Sequence, residues 1–135
     1  DHAIKVTGLE EFRNRELSQL SGGQRQRVFI AMALAQNTKI LFLDEPTTYL
    51  DIRYQLDILR LVRKLNKEYG ITIVMVLHEI NQAVHFSDEV IGLKDGKVLV
   101  QGDPNEVITT ESISELYDVQ LNVAEIDGQK FVLTV

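Results

Sequence analysis

Two strongly apolar segments, separated by an amphipathic helical pattern, constrain the fold of this chain more than any other feature. The first lies in a segment of residues 39–44, and the second spans residues 71–77. Such segments are typical of parallel strands that are covered on both faces. Between them, apolar residues recur every three or four positions over residues 51–69, and Gly70 follows as a helix stop. The order strand, helix, strand predicts an α/β fold in which residues 39–44 are buried on both sides.

The flanking sequence predicts one helix before the first strand, then short helices and two hairpins after the second. The first helix covers residues 20–35, with Ser21 as N-cap and with Val28, Met32 and Ala35 on one face. Further along, short helices are expected at residues 79–86, 104–108 and 111–117, and hairpins turn at Asp95-Gly96 and Asp127-Gly128, the second running to Val135.

Composition and charge narrow the classes of function. The 135 residues suffice for one domain at most, with ordinary hydrophobic (44%) and charged (25%) fractions. A net charge of -6 without a local cluster of basic residues argues against a nucleic-acid partner. The longest apolar stretch, residues 28–35, is too short to span a bilayer. The chain has no cysteine, which fits a cytosolic compartment, and it begins at Asp1, so we expect it to lack its front part.

A serine and two glycines begin the first predicted helix. Backbone N–H groups at a helix N-terminus bind anions, and glycines let a ligand approach closely. First turns usually contain acids, yet residues 21–35 contain none, while Arg25 and Arg27 lie near this end. The pattern favours an anion site; the alternative is a plain serine cap followed by a tight glycine turn.

Polar side chains follow both predicted strands. Asp44 and Glu45 end the first strand before Pro46, and His78 follows the second. Ligands of α/β sheets bind beyond the carboxyl ends of the strands, where carboxylates can hold a metal or act as a base. The alternatives are an acidic pair that caps a helix and a surface histidine. Asp51 can likewise be the N-cap of the helix over residues 51–69.

In their order and close spacing, these segments resemble ATP-binding cassette (ABC) ATPases, a group of P-loop NTPases. The matching segments are Leu20-Ser21-Gly22-Gly23-Gln24 with Arg25-Gln26-Arg27 (signature), Asp44-Glu45-Pro46-Thr47-Thr48 (Walker B), Leu50-Asp51 (D-loop) and His78 (switch histidine). The sequence contains no G-x-x-x-x-G-K-[ST] loop, so the resemblance covers only the back part of a cassette. It divides the chain into the end of a helical signature subdomain (1–36), catalytic core strands and helices (37–103), and C-terminal helices with a hairpin (104–135).

The resemblance implies a role for each segment, with ATP and Mg²⁺ as cofactors. The signature residues would contact the γ-phosphate of ATP held by a second ATPase subunit. Asp44 would hold Mg²⁺ through water, Glu45 would polarise the attacking water as general base, and His78 would contact the γ-phosphate. Leu50 and Asp51 would belong to a loop at the dimer interface. Tyr49 departs from the small residue that many members have before this loop.

Four further stretches resemble the ATPases of importers for iron-siderophores, haem and cobalamin. They are residues 44–52, 76–83, 94–97 and 101–104. Such subunits lie on the cytoplasmic face of the membrane, bound to transmembrane permease subunits, and drive uptake. The resemblance therefore implies a peripheral location at the inner face of the membrane and a permease partner.

Two other classes of function remain open, and the missing phosphate loop leads to two expectations. A soluble ABC ATPase of DNA repair or chromosome maintenance more often has an acid where Gln24 stands. A non-catalytic regulatory module is disfavoured by the intact Glu45 and His78. Without a phosphate loop, the chain alone is expected not to turn over ATP. Its uncovered strands are expected to make it self-associate.

Overall fold

The computed structural model describes residues 1–134 and consists of two compact units, Asp1–Leu77 and a second unit that begins at His78. The first unit contains α1 (His2–Val6), α2 (Gly22–Ala35), β1 (Ile40–Asp44), α3 (Ile52–Tyr69) and β2 (Thr72–Val76), with 3-10 turns at Glu10–Phe12 and Leu17–Gln19. The second contains α4 (Ile80–Phe86), β3 (Val90–Lys94), β4 (Lys97–Gly102), α5 (Pro104–Val107), α6 (Thr110–Tyr117), β5 (Asn122–Ile126) and β6 (Gln129–Leu133). The α/β class is confirmed, and the division at residues 36 and 103 stays a prediction.

β1 and β2 form a parallel pair joined by α3. Their register runs from Ile40 opposite Thr72 to Asp44 opposite Val76, so both strands end at the same edge. The parallel pairing confirms the prediction from the two apolar segments and places Asp44 at the carboxyl end of the sheet.

α3 is the main helix of the first unit, and its limits agree with the prediction. Asp51 stands at the N-cap position, and Gly70 ends the helix with φ +66°, a left-handed conformation that glycine adopts without a steric penalty. One face is buried against Ile30, Leu41 and neighbouring apolar residues. The buried residues of α3 are Ile58, Leu59, Leu61, Val62 and Leu65. Each contributes about 1.5–3 kcal/mol by burial of a full aliphatic side chain.

The prediction that residues 39–44 are buried on both sides is wrong. Leu41 is 5% exposed on the face that packs with α3, whereas Phe42 on the other face is 73% exposed. Val74 and Val76, on the same side of β2, are 46% and 50% exposed. An apolar strand is expected to be covered on both faces. Within the described residues, the first unit covers one face of β1 and β2, the face that packs with α3. We call the outer surface formed by Ile40, Phe42, Val74 and Val76 the open sheet face.

α2 begins as predicted, but only part of its expected face is buried. Met32 is 58% exposed, and Ala35 is exposed as well. Ile30 packs into the cluster around α3, and Ala31 packs against Ala3 of α1. Val28 is half-buried and packs against the cluster that contains Ala3 and Ala31, so the expected face is correct at Val28 and wrong at Met32 and Ala35.

The second unit contains the two predicted hairpins. β3 pairs with β4, and β5 with β6, both antiparallel. Their turns at Asp95-Gly96 and Asp127-Gly128 have positive φ at both residues, as a two-residue hairpin turn requires. The core of the second unit consists of Val84, Ile108, Ile113 and Val132. Val135, to which the second hairpin was expected to run, lies outside the described residues.

Candidate functional site

Residues 20–24, which we call the signature turn, are held by reciprocal capping at the start of α2. The Ser21 hydroxyl oxygen accepts from the Gln24 backbone N–H at 3.2 Å, and the Ser21 backbone N–H donates to Gln24 Oε1 at 3.0 Å. Leu20, the first residue of the turn, is buried. Gly22 and Gly23 are the first two residues of this 14-residue helix, and its first turn contains no acid. Their N–H groups therefore lie at the positive end of the helix dipole.

Both arginines after the signature turn donate to backbone carbonyl groups. Arg25 Nε donates to the carbonyl oxygen of Leu17 at 3.2 Å, and Arg27 Nη1 donates to that of Thr7 at 3.2 Å. The sequence suggested that these cations leave the helix start unbalanced until an anion binds. The structure adds a role in folding, since the two side chains fasten α2 to the segment before it.

The signature turn packs against the segment that follows β1. A Cβ atom at Gly22 would lie 3.1 Å from Leu50 Cδ2, and one at Gly23 would lie 3.1 Å from Tyr54 Cδ1. Gln55 Nε2 donates to the carbonyl oxygen of Leu50 at 2.7 Å. The structure thus brings the predicted signature and D-loop residues together within one unit. Sequence reasoning missed Tyr54 and Gln55, although their place one turn into α3 after Asp51 was a usable signal.

Asp44 and Glu45 differ in environment although they are neighbours. Asp44 ends β1 and is exposed. The Glu45 backbone N–H extends the ladder by donating to the carbonyl oxygen of Val76 at 3.0 Å, and φ of +52° then turns the chain away. Thr48 Oγ1 donates to Glu45 Oε2 at 3.3 Å, which restrains this half-buried carboxylate. A left-handed non-glycine residue costs about 1–2 kcal/mol, and such residues cluster at functional sites.

The donor set fits a magnesium ion that is held mainly by water and phosphate. Within residues 1–134, three or more His, Cys, Asp or Glu side chains do not converge on one point. Asp44 is a single exposed carboxylate, and Mg²⁺ commonly takes one or two carboxylates together with several waters and substrate phosphates. The signature turn fits a phosphate group, because a helix start without acids favours an anion.

Asp51 and His78 are exposed, whereas Leu50 is half-buried against the core cluster. Asp51 stands at the N-cap position of α3, as the capping alternative predicted, although its side chain makes no capping hydrogen bond. Tyr49 has φ +63° and is 102% exposed. His78 begins the second unit directly before Glu79, whose carboxylate caps α4 through the N–H groups of Asn81 and Gln82. The roles inferred for Asp51 and His78 stay predictions.

Comparison with known proteins shows which family the chain resembles. The profile of the ABC transporter family matches residues 1–48. An ABC transporter solved in an inward-facing conformation aligns over 97% of this chain and 53% of its own chain, with a TM-score of 0.87 and 30% identity. The dimeric cassette MJ0796 bound to ADP and Pi aligns over 76% of this chain and 44% of its own, with a TM-score of 0.64 and 45% identity. The chain is therefore similar, over most of its length, to ATP-binding proteins of ABC transporters.

Several curated relatives are ATP-binding proteins of siderophore import or transport. The petrobactin import ATP-binding protein FpuC of Bacillus anthracis is 50% identical over 91% of this chain and 45% of its own length. The iron(3+)-hydroxamate import ATP-binding protein FhuC of Bacillus subtilis is 50% identical over 90% of this chain and 45% of its own length. The ferric enterobactin transport ATP-binding protein FepC of Escherichia coli is 45% identical over 91% of this chain and 45% of its own length. The chain spans about 45% of the length of these relatives. In residues 1–134, every helix is too short or too polar to cross a membrane.

Proposed function

We propose that this chain is part of the ATP-binding subunit of an ABC importer for iron-siderophore-type substrates, and that it presents the signature turn to ATP held by a second subunit. The observation that carries the proposal is the capped, acid-free start of α2 at Gly22 and Gly23. The names of the relatives, which are import or transport ATP-binding proteins, support an importer over a soluble ABC ATPase.

The signature turn supplies hydrogen-bond donors for a γ-phosphate. The N–H groups of Gly22 and Gly23 lie at the helix start. The Ser21 oxygen already accepts from Gln24, which leaves the hydroxyl proton able to donate to an anion. Hydrogen bonds to a charged group contribute about 1.5–3 kcal/mol each, so the loss of one donor weakens binding about ten- to a hundredfold.

Glu45 is the proposed general base, and Asp44 the proposed magnesium ligand. The hydroxyl of Thr48 orients the Glu45 carboxylate, which can accept a proton from an attacking water. Mg²⁺, held by Asp44 through water, would neutralise charge on the phosphates. A positioned base contributes about a hundred- to ten-thousandfold in rate. His78 is the proposed contact to the γ-phosphate.

Partners and location follow from the same proposal. Leu50 and Asp51 contact a second ATPase subunit, and transmembrane permease subunits hold the assembly on the cytoplasmic face of the membrane. The alternative of a non-catalytic module keeps the fold without hydrolysis. Retention of Glu45 with its Thr48 hydrogen bond favours the catalytic proposal.

The binding test uses the chain with an intact relative. Labelled chain is titrated with B. subtilis FhuC, and binding is followed by fluorescence anisotropy with ATP and Mg²⁺, with ADP, and without nucleotide. We expect binding with ATP only, weakened about tenfold or more in Ser21→Ala. Ser18→Ala, an exposed serine in the preceding turn, is the matched control and should bind like the wild type. Equal binding with and without ATP contradicts the proposal, as does no binding at all.

We also propose that the chain alone does not hydrolyse ATP, because its sequence contains no Gly-rich loop with lysine for the β- and γ-phosphates. A steady-state phosphate-release assay with Mg²⁺ should give the same rate for the wild type and for Glu45→Gln. Turnover by the wild type that Glu45→Gln abolishes would show that the chain is a complete ATPase.

A further inference from the structure

We propose that Leu50 and Tyr54 are positioning residues that lock the signature turn to the loop between β1 and α3, so that both segments meet a partner subunit as one rigid surface. This inference rests on the proposed function, since it assigns a partner-facing role to the signature turn. It adds Tyr54, a residue outside the motifs, and gives Leu50 a contact within its own chain.

In each of these two contacts, a glycine of the signature turn faces a large side chain of the segment after β1. Gly23 is buried, and the site of its absent Cβ lies 3.1, 3.3 and 3.4 Å from Cδ1, Cγ and Cβ of Tyr54. The corresponding point at Gly22 lies 3.1 Å from Leu50 Cδ2. A methyl group at either glycine would push its neighbour by a few tenths of an ångström, so the backbone of the turn rests directly on these two side chains.

Both halves of this contact are anchored independently. The carbonyl group of Leu50 accepts from the Gln55 side chain, and Leu50 packs against the main core cluster. On the other half, Ser21 and Gln24 cap each other, and Arg25 ties the turn to the carbonyl group of Leu17. Because each segment is held by its own hydrogen bonds, a shift of the loop at Leu50 is passed to Gly22 rather than absorbed.

The atoms in contact specify which property of Tyr54 matters. The three Tyr54 atoms nearest to the Cβ position of Gly23 are all carbons. Tyr54 is 39% exposed, and the Arg53 guanidinium lies 6.0 Å from the centre of its ring. The phenolic hydroxyl is not among these three nearest atoms. Tyr54→Phe should therefore keep the function, whereas Tyr54→Ala removes the support under Gly23.

The first test needs no nucleotide. Thermal melting of the chain is measured for Gly23→Ala, Tyr54→Ala and the double variant. We expect Gly23→Ala to lower the melting temperature in the wild-type background and to lower it less in the Tyr54→Ala background, where space has opened. Strictly additive shifts would overturn the proposed packing.

The second test measures ATP-dependent binding to FhuC. Tyr54→Ala should weaken binding about ten- to a hundredfold, because misplacement of the turn would lose a hydrogen bond to the γ-phosphate. Its circular dichroism spectrum at the assay temperature should stay that of the wild type, which separates misplacement from unfolding. Tyr54→Phe should bind like the wild type.

Tyr69→Ala is the matched control, because Tyr69 lies at the far end of the same helix and is 43% exposed. Wild-type affinity in Tyr54→Ala, or equal loss in Tyr54→Phe and Tyr54→Ala, overturns the inference. Failure of the wild type to bind ATP-loaded FhuC refutes the proposed function instead, and the melting cycle then still decides whether Gly23 and Tyr54 are coupled.

Discussion

Lys94 joins two elements of the second unit through one ammonium group. Its Nζ donates to Asp118 Oδ1 at 2.6 Å and to the carbonyl oxygen of Glu115. Asp118 ends α6 in a left-handed conformation with φ +55°, so the cation lies at the negative end of a helix. The hydrogen bond to Asp118 raises the pKa of Lys94. Tyr117 directly precedes Asp118, and its pKa is raised by burial and, to a smaller extent, by the charge of Glu79.

These shifts predict how stability depends on alkaline pH. Folding raises both pKa values, so the folded chain holds these protons more tightly than the unfolded chain. Their stabilising contribution is present below about pH 10 and is lost as the pH rises through the folded pKa values. We expect the melting temperature to fall above about pH 10, and to fall less steeply in Lys94→Met. Lys97→Met, an exposed lysine of the same hairpin, should keep the wild-type slope; an unchanged slope in Lys94→Met would contradict the assignment.

At the scale of elements, α3 organises the first unit. It carries five buried apolar residues, connects the two strands, and positions Tyr54 and Gln55 in its first turns. Its apolar face is therefore both the centre of the core and the support of the candidate site. Damage to that face should reduce stability before it affects any individual contact with a ligand.

Leu59→Ala tests this role of α3. Leu59 is 0% exposed, and removal of such a side chain costs about 2–5 kcal/mol through lost burial and the cavity that remains. Urea unfolding followed by circular dichroism should show a loss in this range. Ile52→Ala on the same helix is the control, because Ile52 is 71% exposed and should change stability by about 0.5 kcal/mol or less. Similar losses in both variants would mean that the assigned core face is wrong.

Local signals predicted the elements well, whereas their burial depended on contacts between distant segments. Ser21 begins α2 through hydrogen bonds to Gln24, three residues away, and Gly70 ends α3 through its own left-handed conformation. Because both signals are local, the limits of α2 and α3 followed from the sequence. The covered side of β1 and α2 depends on what packs there, and Phe42 and Met32 were therefore misassigned. For the same reason the signature segment was recognisable, but its contact with Tyr54 was not.

At the scale of the molecule, the open sheet face is the prominent apolar surface of the first unit. Ile40, Phe42, Val74 and Val76 are all at least 46% exposed on one face of the β1–β2 pair, where Phe42 lies directly opposite Val74. Contiguous exposed apolar patches promote association in solution. Strands with unpaired outer edges add a second route, through backbone pairing.

Phe42→Glu should therefore reduce self-association of the chain. A charge in the centre of the open sheet face repels a second copy, and Phe42 is 73% exposed, so the core is left intact. Sedimentation velocity should show oligomers for the wild type and a shift towards monomer for the variant. Ile126→Glu, at another exposed apolar position, is the control and should leave the distribution unchanged. A wild-type monomer that melts cooperatively would refute the expectation.

We expect amide hydrogen exchange in β1 and β2 to depend on the opening of α3. The two strands are parallel, and α3 is both the connection between them and the layer against which Leu41 and Ile73 pack. A parallel pair cannot open by fraying from a hairpin turn, because no short turn joins its strands. The amides that bond across this ladder should consequently exchange with the protection factors of the α3 backbone, as one cooperative unit.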